Sequence, residues 1–463
     1  MDLFSCLLCL LVAWASIYIV VSARRRKSGA GKLPPGPVPF PIIGNLLNIG
    51  NKPHESLANL AKIHGPVMTL ELGCVTTVVI TSATMAKEVL QKKDQSFCSR
   101  TIPDALRAHN HNQLSVVWLP ASTKWRTLRK ICNSHIFTIQ DLLANVKQRC
   151  QAGDVVDIGQ EAFRTTLNLL SNTIFCVDLV EPSSDSVQEF KELVRNMMEE
   201  AAIKIDPQGI RRRTAIHFGK MIEVLDKMVK QRLRSRQVQG WMASSDVLHI
   251  LLTISEDSNN VLDITNIDQL LLDLFAAGTD TTSNTLEWAM AELLHKPETL
   301  RRVQVELLQT IGKDKLVKES DIAQLPYLQA VVKETFRLHP AVPLLLPRKA
   351  EVDTDICGFI VPKDAQVLVN VWAIGRDPNL WENPNSFMPE RFLGSNMDVR
   401  GQNFELIPFG AGIRMIHLML ASLLHSYDWK LEDGVTPENM NMEEKFGVTL
   451  QKAQPLRALP TLV

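Results

Sequence analysis

The sequence lacks the features that mark several large classes of protein. Its 463 residues carry 50 Lys and Arg against 50 Asp and Glu, so the formal net charge is zero. This balance removes the electrostatic basis for dedicated nucleic-acid binding, because nucleic-acid-binding proteins concentrate positive charge. Internal repeats are absent as well. Hydrophobic residues make up 45% of the chain, which predicts a large buried core and argues against disorder.

Cysteines are few and widely spaced. The eight are Cys6, Cys9, Cys74, Cys98, Cys132, Cys150, Cys176 and Cys357. Only Cys6 and Cys9 are close together, and no pair shows the spacing of a zinc site or of a dense disulfide framework. We therefore expect reduced thiols in a body that faces the cytosol.

Residues 3–23 form the one long apolar run, interrupted only by three serines. As a helix this run reaches about 31 Å, which matches the hydrocarbon core of a bilayer. The basic cluster Arg24 to Lys27 follows it, and positive flanks stay on the cytoplasmic side. Residues 1–27 are therefore predicted to be a single-pass membrane anchor, with the body facing the cytosol. The alternative is a cleaved secretory signal, although the run lacks a basic start.

A proline-rich stretch follows the predicted anchor. Residues 33–41 contain five prolines in nine positions, and proline cannot continue a helix. We interpret residues 28–45 as a stiff hinge between membrane and globule, although a proline-rich run can also bind a partner. Residues 46–463 are then predicted to form a single domain of catalytic type.

The hydrophobic pattern predicts a mostly helical body with small sheets. β-Branched residues around the Gly73 turn indicate a short β unit. The clearest helix has a capping-box pattern at Thr265 and Asp268 and a stop at Pro297. The predicted elements are a β unit at 67–81, helices at 266–295 and 326–339, and a strand at 366–372.

The middle of the long helix carries an unusual polar run, residues 277–282. Glycine and threonine are poor in helix interiors, so such a run indicates a bend, a groove or a ligand site. A buried Asp280 beside the Thr281 hydroxyl could deliver protons to a group held over the helix. An ordinary polar kink is the alternative.

Other pairs are weak signals when each is taken alone. Glu334 and Arg337 lie three residues apart on one helix face, a spacing common in surface ion pairs. Arg391 could join the same carboxylate. Trp125 and Arg129, four residues apart, could hold an anionic cofactor group or pack a surface.

Taken in order, these motifs resemble the cytochrome P-450 superfamily of haem-thiolate monooxygenases over essentially the whole chain. The resemblance implies a mainly α fold with small β sheets, a long central helix and one N-terminal transmembrane helix, with haem as cofactor. It rests on the anchor and hinge, Trp125 with Arg129, residues 277–281, Glu334 with Arg337, residues 389–392 and residues 408–412.

The resemblance also implies roles for individual residues. Asp280 and Thr281 would relay protons to iron-bound dioxygen. Glu334, Arg337 and Arg391 would lock the fold as a structural cluster. The expected haem-binding residues are Trp125, Arg129, Arg348, Phe409, Gly410 and Gly412, and the expected substrate-pocket residues are Ala276, Thr279, Val342 and Leu344.

Residues 284–294 and 404–409 look like the plant branch that includes geraniol hydroxylases. This implies a small apolar substrate, monoterpenoid-like or phenolic. It also implies an NADPH-dependent flavoprotein reductase in the same membrane as electron donor. No GxGxxG motif stands between a strand and a helix, so the chain itself is not expected to bind NADPH.

One part of the family signature is missing. The residues after Gly412 should include the axial cysteine and a glycine, but an ungapped reading places Ile416 and Leu418 there. A better reading makes residues 413–422 the helix that follows the ligand loop, with roughly ten residues deleted after Gly412. No metal ligand is therefore assigned, and His417, the nearby alternative, is expected to be a packed residue.

This departure leaves three hypotheses for function, of which a haem binder ligated by His417 is the least favoured. The first is a haem-dependent monooxygenase, as in the family. The alternative is a catalytically inactive, haem-poor variant, because the axial thiolate drives O–O cleavage. A second loss is predicted between Ala201 and Asp206, where the resemblance implies a longer stretch that would belong to the substrate-access region. Splicing, gene decay or a mis-joined gene model would all produce such losses.

Overall fold

The computed structural model describes residues 33–120, 122, 125–126, 140–179, 186–201, 207–238, 246–256, 263–313, 315–399, 401–407 and 412–463. The predicted anchor, residues 1–27, lies outside these ranges. Across the described ranges, no helix combines the length and apolar character that a membrane span requires.

Helices make up most of the described chain, as predicted. The α-helices are α1 (Pro53–His64), α2 (Ala83–Lys87), α3 (His111–Leu114), α4 (Gln140–Ala152), α5 (Ile158–Phe175), α6 (Ser186–Glu200), α7 (Pro207–Arg236), α8 (Val247–Glu256), α9 (Ile264–His295), α10 (Pro297–Ile311), α11 (Pro326–Leu338), α12 (Val371–Ile374) and α13 (Ile413–Ser426). Short 3-10 helices lie at Leu46–Asn48, Asp94–Phe97, Asp104–Asn110, Glu319–Gln324 and Pro389–Phe392, and a π-helical turn at Glu88–Lys92.

The strands form small separate sheets. They are β1 (Val67–Leu72), β2 (Val75–Ile80), β3 (Val156–Asp157), β4 (Arg348–Lys349), β5 (Thr354–Ile356), β6 (Phe359–Val361), β7 (Gln366–Val369), β8 (Tyr427–Leu431), β9 (Glu444–Phe446), β10 (Leu450–Lys452) and β11 (Arg457–Leu462). The largest sheet has the order β1-β2-β7-β4, with β2 and β7 parallel. The others are β3-β11-β8 and the pairs β9-β10 and β5-β6.

The central helix α9 extends slightly beyond its predicted start. Asp263 is its N-cap and accepts a hydrogen bond from the Asn266 backbone N–H at 2.7 Å. The prediction that Thr265 and Asp268 form the cap was wrong by two residues, because an aspartate outside the predicted helix supplies the cap. The helix has 32 residues and therefore spans about 48 Å.

Two apolar clusters flank the middle of α9. One surrounds its first turns, from Ile267 to Ala276, and contains residues of α5, α6, α7 and α8. The other surrounds its last turns, from Leu286 to Leu294, and contains residues of α10, α11 and α13. Residues 277–285 lie between the two clusters, so the polar run crosses the centre of the body.

The described part of the proline-rich segment lies against the body. The Thr69 backbone N–H donates to the Pro35 carbonyl at 2.8 Å. A Cβ atom added at Gly36 would lie 1.8 Å from the Thr69 carbonyl oxygen, so only glycine allows this approach. The segment therefore docks on β1 from about Pro35 onward, where the sequence had suggested an extended spacer.

Candidate active site

The threonines of α9 are satisfied by the helix itself. Thr281 Oγ1 donates to the Ala277 carbonyl at 2.7 Å, and Thr279 Oγ1 donates to the Phe275 carbonyl at 2.6 Å. These hydroxyls bond to the carbonyl four residues earlier, which permits them inside a helix. The polar run therefore leaves α9 continuous from Ile264 to His295.

An inner cavity of about 90 Å³ follows the polar run on one side of α9. Ala276, Ala277 and Thr281 line it from α9, and Val342 lines it from the segment after α11. Met197 and Met198 of α6 and Phe218 of α7 close the opposite side. Most of its wall is apolar, which suits an apolar ligand.

An outer cavity of about 440 Å³ shares a wall with the inner one. The shared residues are Trp118, Ala201, Leu346 and Val448. Leu344, expected in the substrate pocket, lines this outer cavity. Thr279, also expected there, is fully buried and is not among the described residues that line either cavity.

Asp280 lies behind the inner cavity wall. Its carboxylate accepts a hydrogen bond from Thr449 Oγ1 and a longer one, 3.3 Å, from Gln451 Nε2. Burial raises the pKa of Asp280 above its ordinary value, and these hydrogen bonds oppose the shift only in part. Thr281 and Thr449 line the cavity while Asp280 does not, so Thr449 separates the carboxyl from the ligand space.

A second polar group, which the sequence analysis missed, also lines the inner cavity. Asp273 Oδ1 accepts from Ser115 Oγ at 2.8 Å and faces His111 Nε2 at 3.1 Å. Burial disfavours the charged form of His111, but the Asp273 carboxylate and hydrogen bonds to Asp273 and Gln269 outweigh it and raise the pKa of His111. The available signal was one aspartate inside the apolar run 270–274.

The structure brings Glu334, Arg337 and Arg391 together. Arg337 Nε donates to Glu334 Oε2 at 2.7 Å, and Arg391 Nε donates to Glu334 Oε1 at 3.1 Å. The side chains of Glu334 and Arg337 are fully buried, unlike a surface pair. Arg337 also donates to the backbone carbonyls of Pro384 and Ser386, which ties α11 to the loop after α12.

The structure describes only some of the residues expected to hold the cofactor. Arg348 Nη1 donates to the Phe97 carbonyl at 2.9 Å, whereas its buried Nε has no partner among the described residues. Trp125 is half-buried, and its backbone N–H donates to Ser122 Oγ at 3.2 Å. Arg129, Phe409 and Gly410 lie outside the described residues.

Gly412 and the start of α13 lie directly against the central helix. A Cβ atom added at Gly412 would lie 2.4 Å from Thr282 Oγ1. Further along α13, His417 Nδ1 lies 2.7 Å from the Ile413 carbonyl oxygen. Burial lowers the pKa of His417. His417 is not among the described residues that line the two cavities, so it is a packed residue of the helix.

Comparisons with known proteins agree with this architecture. The cytochrome P450 family model matches residues 34–457. Geraniol 8-hydroxylase of Swertia mussotii is 52% identical, and the alignment covers 96% of each chain. Geraniol 8-hydroxylase of Catharanthus roseus is 51% identical over 100% of each chain. Geranylhydroquinone 3''-hydroxylase of Arnebia euchroma is 45% identical over 97% of this chain and 98% of its own.

The chain belongs to the cytochrome P450 family. This family consists of haem-dependent monooxygenases, and its mainly helical fold with small sheets is the one described above. The predicted family, haem as the cofactor that this family uses, and the similarity to geraniol hydroxylases are confirmed.

The same alignments show that this chain is shorter than its relatives. The alignment with the Catharanthus roseus protein has 498 positions, whereas this chain has 463 residues, a difference of 35. About 35 positions of that alignment therefore have no counterpart here.

The residues present match a haem-thiolate group only at its edge. The unpartnered Arg348 Nε suits an anionic group such as a propionate. The iron ligand has no match, because the family needs a cysteine thiolate and no cysteine follows Cys357 in the sequence. The described cysteines, Cys74, Cys98, Cys150, Cys176 and Cys357, line neither cavity. The donor set therefore does not fit this cofactor.

Proposed function

We propose that this chain carries the scaffold of a membrane-anchored monooxygenase for small apolar terpenoid or phenolic substrates. In this scaffold O2 is the oxidant, and an NADPH-dependent flavoprotein reductase in the same membrane supplies electrons. The relatives support a terpenoid substrate, since they include geraniol and geranylhydroquinone hydroxylases. The apolar wall formed by Met197, Phe218 and Val342 supports it independently.

Asp280 and Thr449, at the wall of the cavity, are the groups of this scaffold that hold a proton. A raised pKa lets Asp280 hold a proton closer to neutral pH than an exposed aspartate does. Thr449 Oγ1 donates a hydrogen bond to this carboxyl, and Thr449 also lines the cavity. Its hydroxyl can therefore link the carboxyl to a polar group in the cavity through hydrogen bonds. On this basis Asp280, acting through Thr449, and Thr281, which lines the cavity, are proposed as catalytic residues.

The scaffold is proposed to sit in the endoplasmic reticulum membrane through residues 1–27, with the body facing the cytosol. The apolar run and its basic flank support this orientation. Deleting residues 1–27 should move the protein toward the soluble fraction. Protease added outside sealed microsomes should digest the body of the intact chain, and protection of the body would contradict the orientation.

A specific observation favours a second function for the chain as its sequence stands. The missing axial cysteine and the mismatched donor set support a catalytically inactive, haem-poor variant. Such a variant retains the substrate cavity and the fold-locking cluster but lacks the ligand that activates oxygen. The absence of a cysteine after Phe409 is the observation that carries this conclusion.

The two functions differ in turnover, which is measured in microsomes that contain the reductase, NADPH and geraniol. We expect the unaltered chain to form no hydroxylated product above reductase-only membranes. A chain with Arg-Arg-Ile-Cys-Pro-Gly and a few further residues inserted between Gly412 and Ile413 should form product. Equal turnover by both chains would contradict the inactive variant. A haem-loaded inserted chain that hydroxylates no terpenoid or phenol would contradict the proposed substrate class.

A further inference from the structure

The inner cavity has a buried polar pair, Asp273 with His111, in a mostly apolar wall. Asp273 of α9 lines it and is only 6% exposed. One carboxylate oxygen, Oδ1, is occupied by Ser115 Oγ and faces His111 Nε2. The other, Oδ2, is buried and has no hydrogen-bond partner among the described residues. A buried acceptor without a partner carries a desolvation cost, which a donor from a ligand would remove.

The surroundings hold this carboxylate in place. His111 presents Nε2 to Asp273 and Nδ1 to Gln269 Oε1, and both of these acceptors are on α9. The His111 ring also contacts Phe218 edge-on, with ring centroids 4.9 Å apart. The carboxylate is therefore fixed by His111 and Ser115, with Phe218 packed against the His111 ring, and its free oxygen is a preorganised acceptor.

The position of Asp273 defines the shape of a suitable ligand. Asp273 and Thr281 are eight residues apart on one helix, so about 12 Å separates them along the axis. Both line the same cavity of about 90 Å³. A space of this volume that reaches both residues is narrow, which suits a slender chain better than fused rings.

We infer that Asp273 is a hydroxyl anchor, whose Oδ2 accepts a hydrogen bond from the alcohol of a slender terpenoid alcohol. The carbon chain of the ligand then lies along α9, with its far end near Thr281. This inference rests on the proposed apolar substrate class and adds to it the requirement for an O–H donor at one end. Asp273 is then a specificity-determining residue, because a ligand without the donor leaves the buried oxygen unpaired.

Equilibrium binding to the full-length chain tests this inference without needing turnover. Isothermal titration calorimetry compares geraniol with geranyl methyl ether, which keeps the carbon skeleton but lacks the O–H donor. A hydrogen bond to a buried carboxylate predicts that geraniol binds on the order of tenfold tighter than the ether. Equal affinities would overturn the hydroxyl anchor alone. Binding of neither ligand would overturn the proposed substrate class as well.

A matched pair of substitutions locates the effect. Asp273→Asn should reduce the preference for geraniol to within about twofold. Asp268→Asn is the control, because Asp268 is also a buried aspartate of α9 with an unpartnered oxygen but lines neither cavity. It should leave the preference unchanged. A folded Asp273→Asn protein with the full preference would overturn the inference. If that protein does not fold, the comparison of geraniol with its ether on the unaltered chain decides.

Discussion

At Asp280 a carboxyl group lies in the middle of the central helix, with Thr449 and Gln451 as its hydrogen-bond partners. Its folded-state pKa is raised above the ordinary 3.8 by burial. A carboxyl of this kind contributes stability that is fully present below its unfolded pKa and is lost as the pH rises through its folded pKa. The contribution of Asp280 to stability should therefore fall as the pH rises above the ordinary pKa of an aspartate.

Asp280→Asn tests this pH dependence. The asparagine has no charge to bury, so the variant should lack the loss of stability that the unaltered chain shows with rising pH. The melting temperature of the unaltered chain minus that of the variant should fall as the pH is raised from about 4. A difference that stays constant with pH would contradict the raised pKa.

Glu334→Gln should cost about 3–5 kcal/mol of unfolding free energy, because it leaves the fully buried Arg337 and the partly buried Arg391 without their carboxylate. Urea denaturation measures this cost. Glu223→Gln is the control, since Glu223 pairs with Lys227 while 67% exposed, and it should change stability by less than about 0.5 kcal/mol. Similar losses in both variants would show that the buried cluster has no special weight.

The residue scale is also where sequence reasoning reached its limit. The types and spacing of Asp280 and Thr281 marked the site because a polar run inside an apolar helix is a local signal. The partner Thr449 is 169 residues from Asp280, and nothing local joins the two. Asp273 was overlooked within an apolar run, since its importance comes from Ser115 and His111, which only the tertiary structure brings near.

At the scale of elements, periodicity predicted the two clearest helices well but not their ends. Helix α11 ends at Leu338, one residue before the predicted end, and β7 ends at Val369, three before. Residues 371–374 continue as α12 because Asn370 caps a new helical turn through the Ala373 backbone N–H. Caps depend on individual side chains, which hydrophobic periodicity does not report.

The contact between α9 and the start of α13 gives a prediction at this scale. Gly412→Ala should destabilise the protein by about 1–3 kcal/mol, because the added Cβ meets Thr282 Oγ1. In a Thr282→Ala background, where that oxygen is gone, the same substitution should cost much less. A double-mutant cycle by urea denaturation measures the coupling. Additive effects would mean that α13 does not start against α9.

For the whole molecule, the missing loop predicts a change in stability. Inserting the loop with Arg-Arg-Ile-Cys-Pro-Gly between Gly412 and Ile413 should allow haem binding and raise the melting temperature, because a ligand that binds only the folded state stabilises it. The same loop with Ser in place of Cys should recover less of the gain and no monooxygenase activity. Equal activity of the two inserted chains would contradict the role of the thiolate. If neither bound haem, the predicted loss between Ala201 and Asp206 would be the remaining candidate cause.

The central claim is that this member of the cytochrome P450 family has kept the substrate side of its fold and lost its iron ligand. The most direct test is the haem content of the purified, unaltered chain, together with its difference spectrum after reduction in carbon monoxide. The account predicts little bound haem and no band of the thiolate type. A thiolate-type band in proportion to the protein would contradict it, because a cysteine from elsewhere in the chain would then have to ligate the iron.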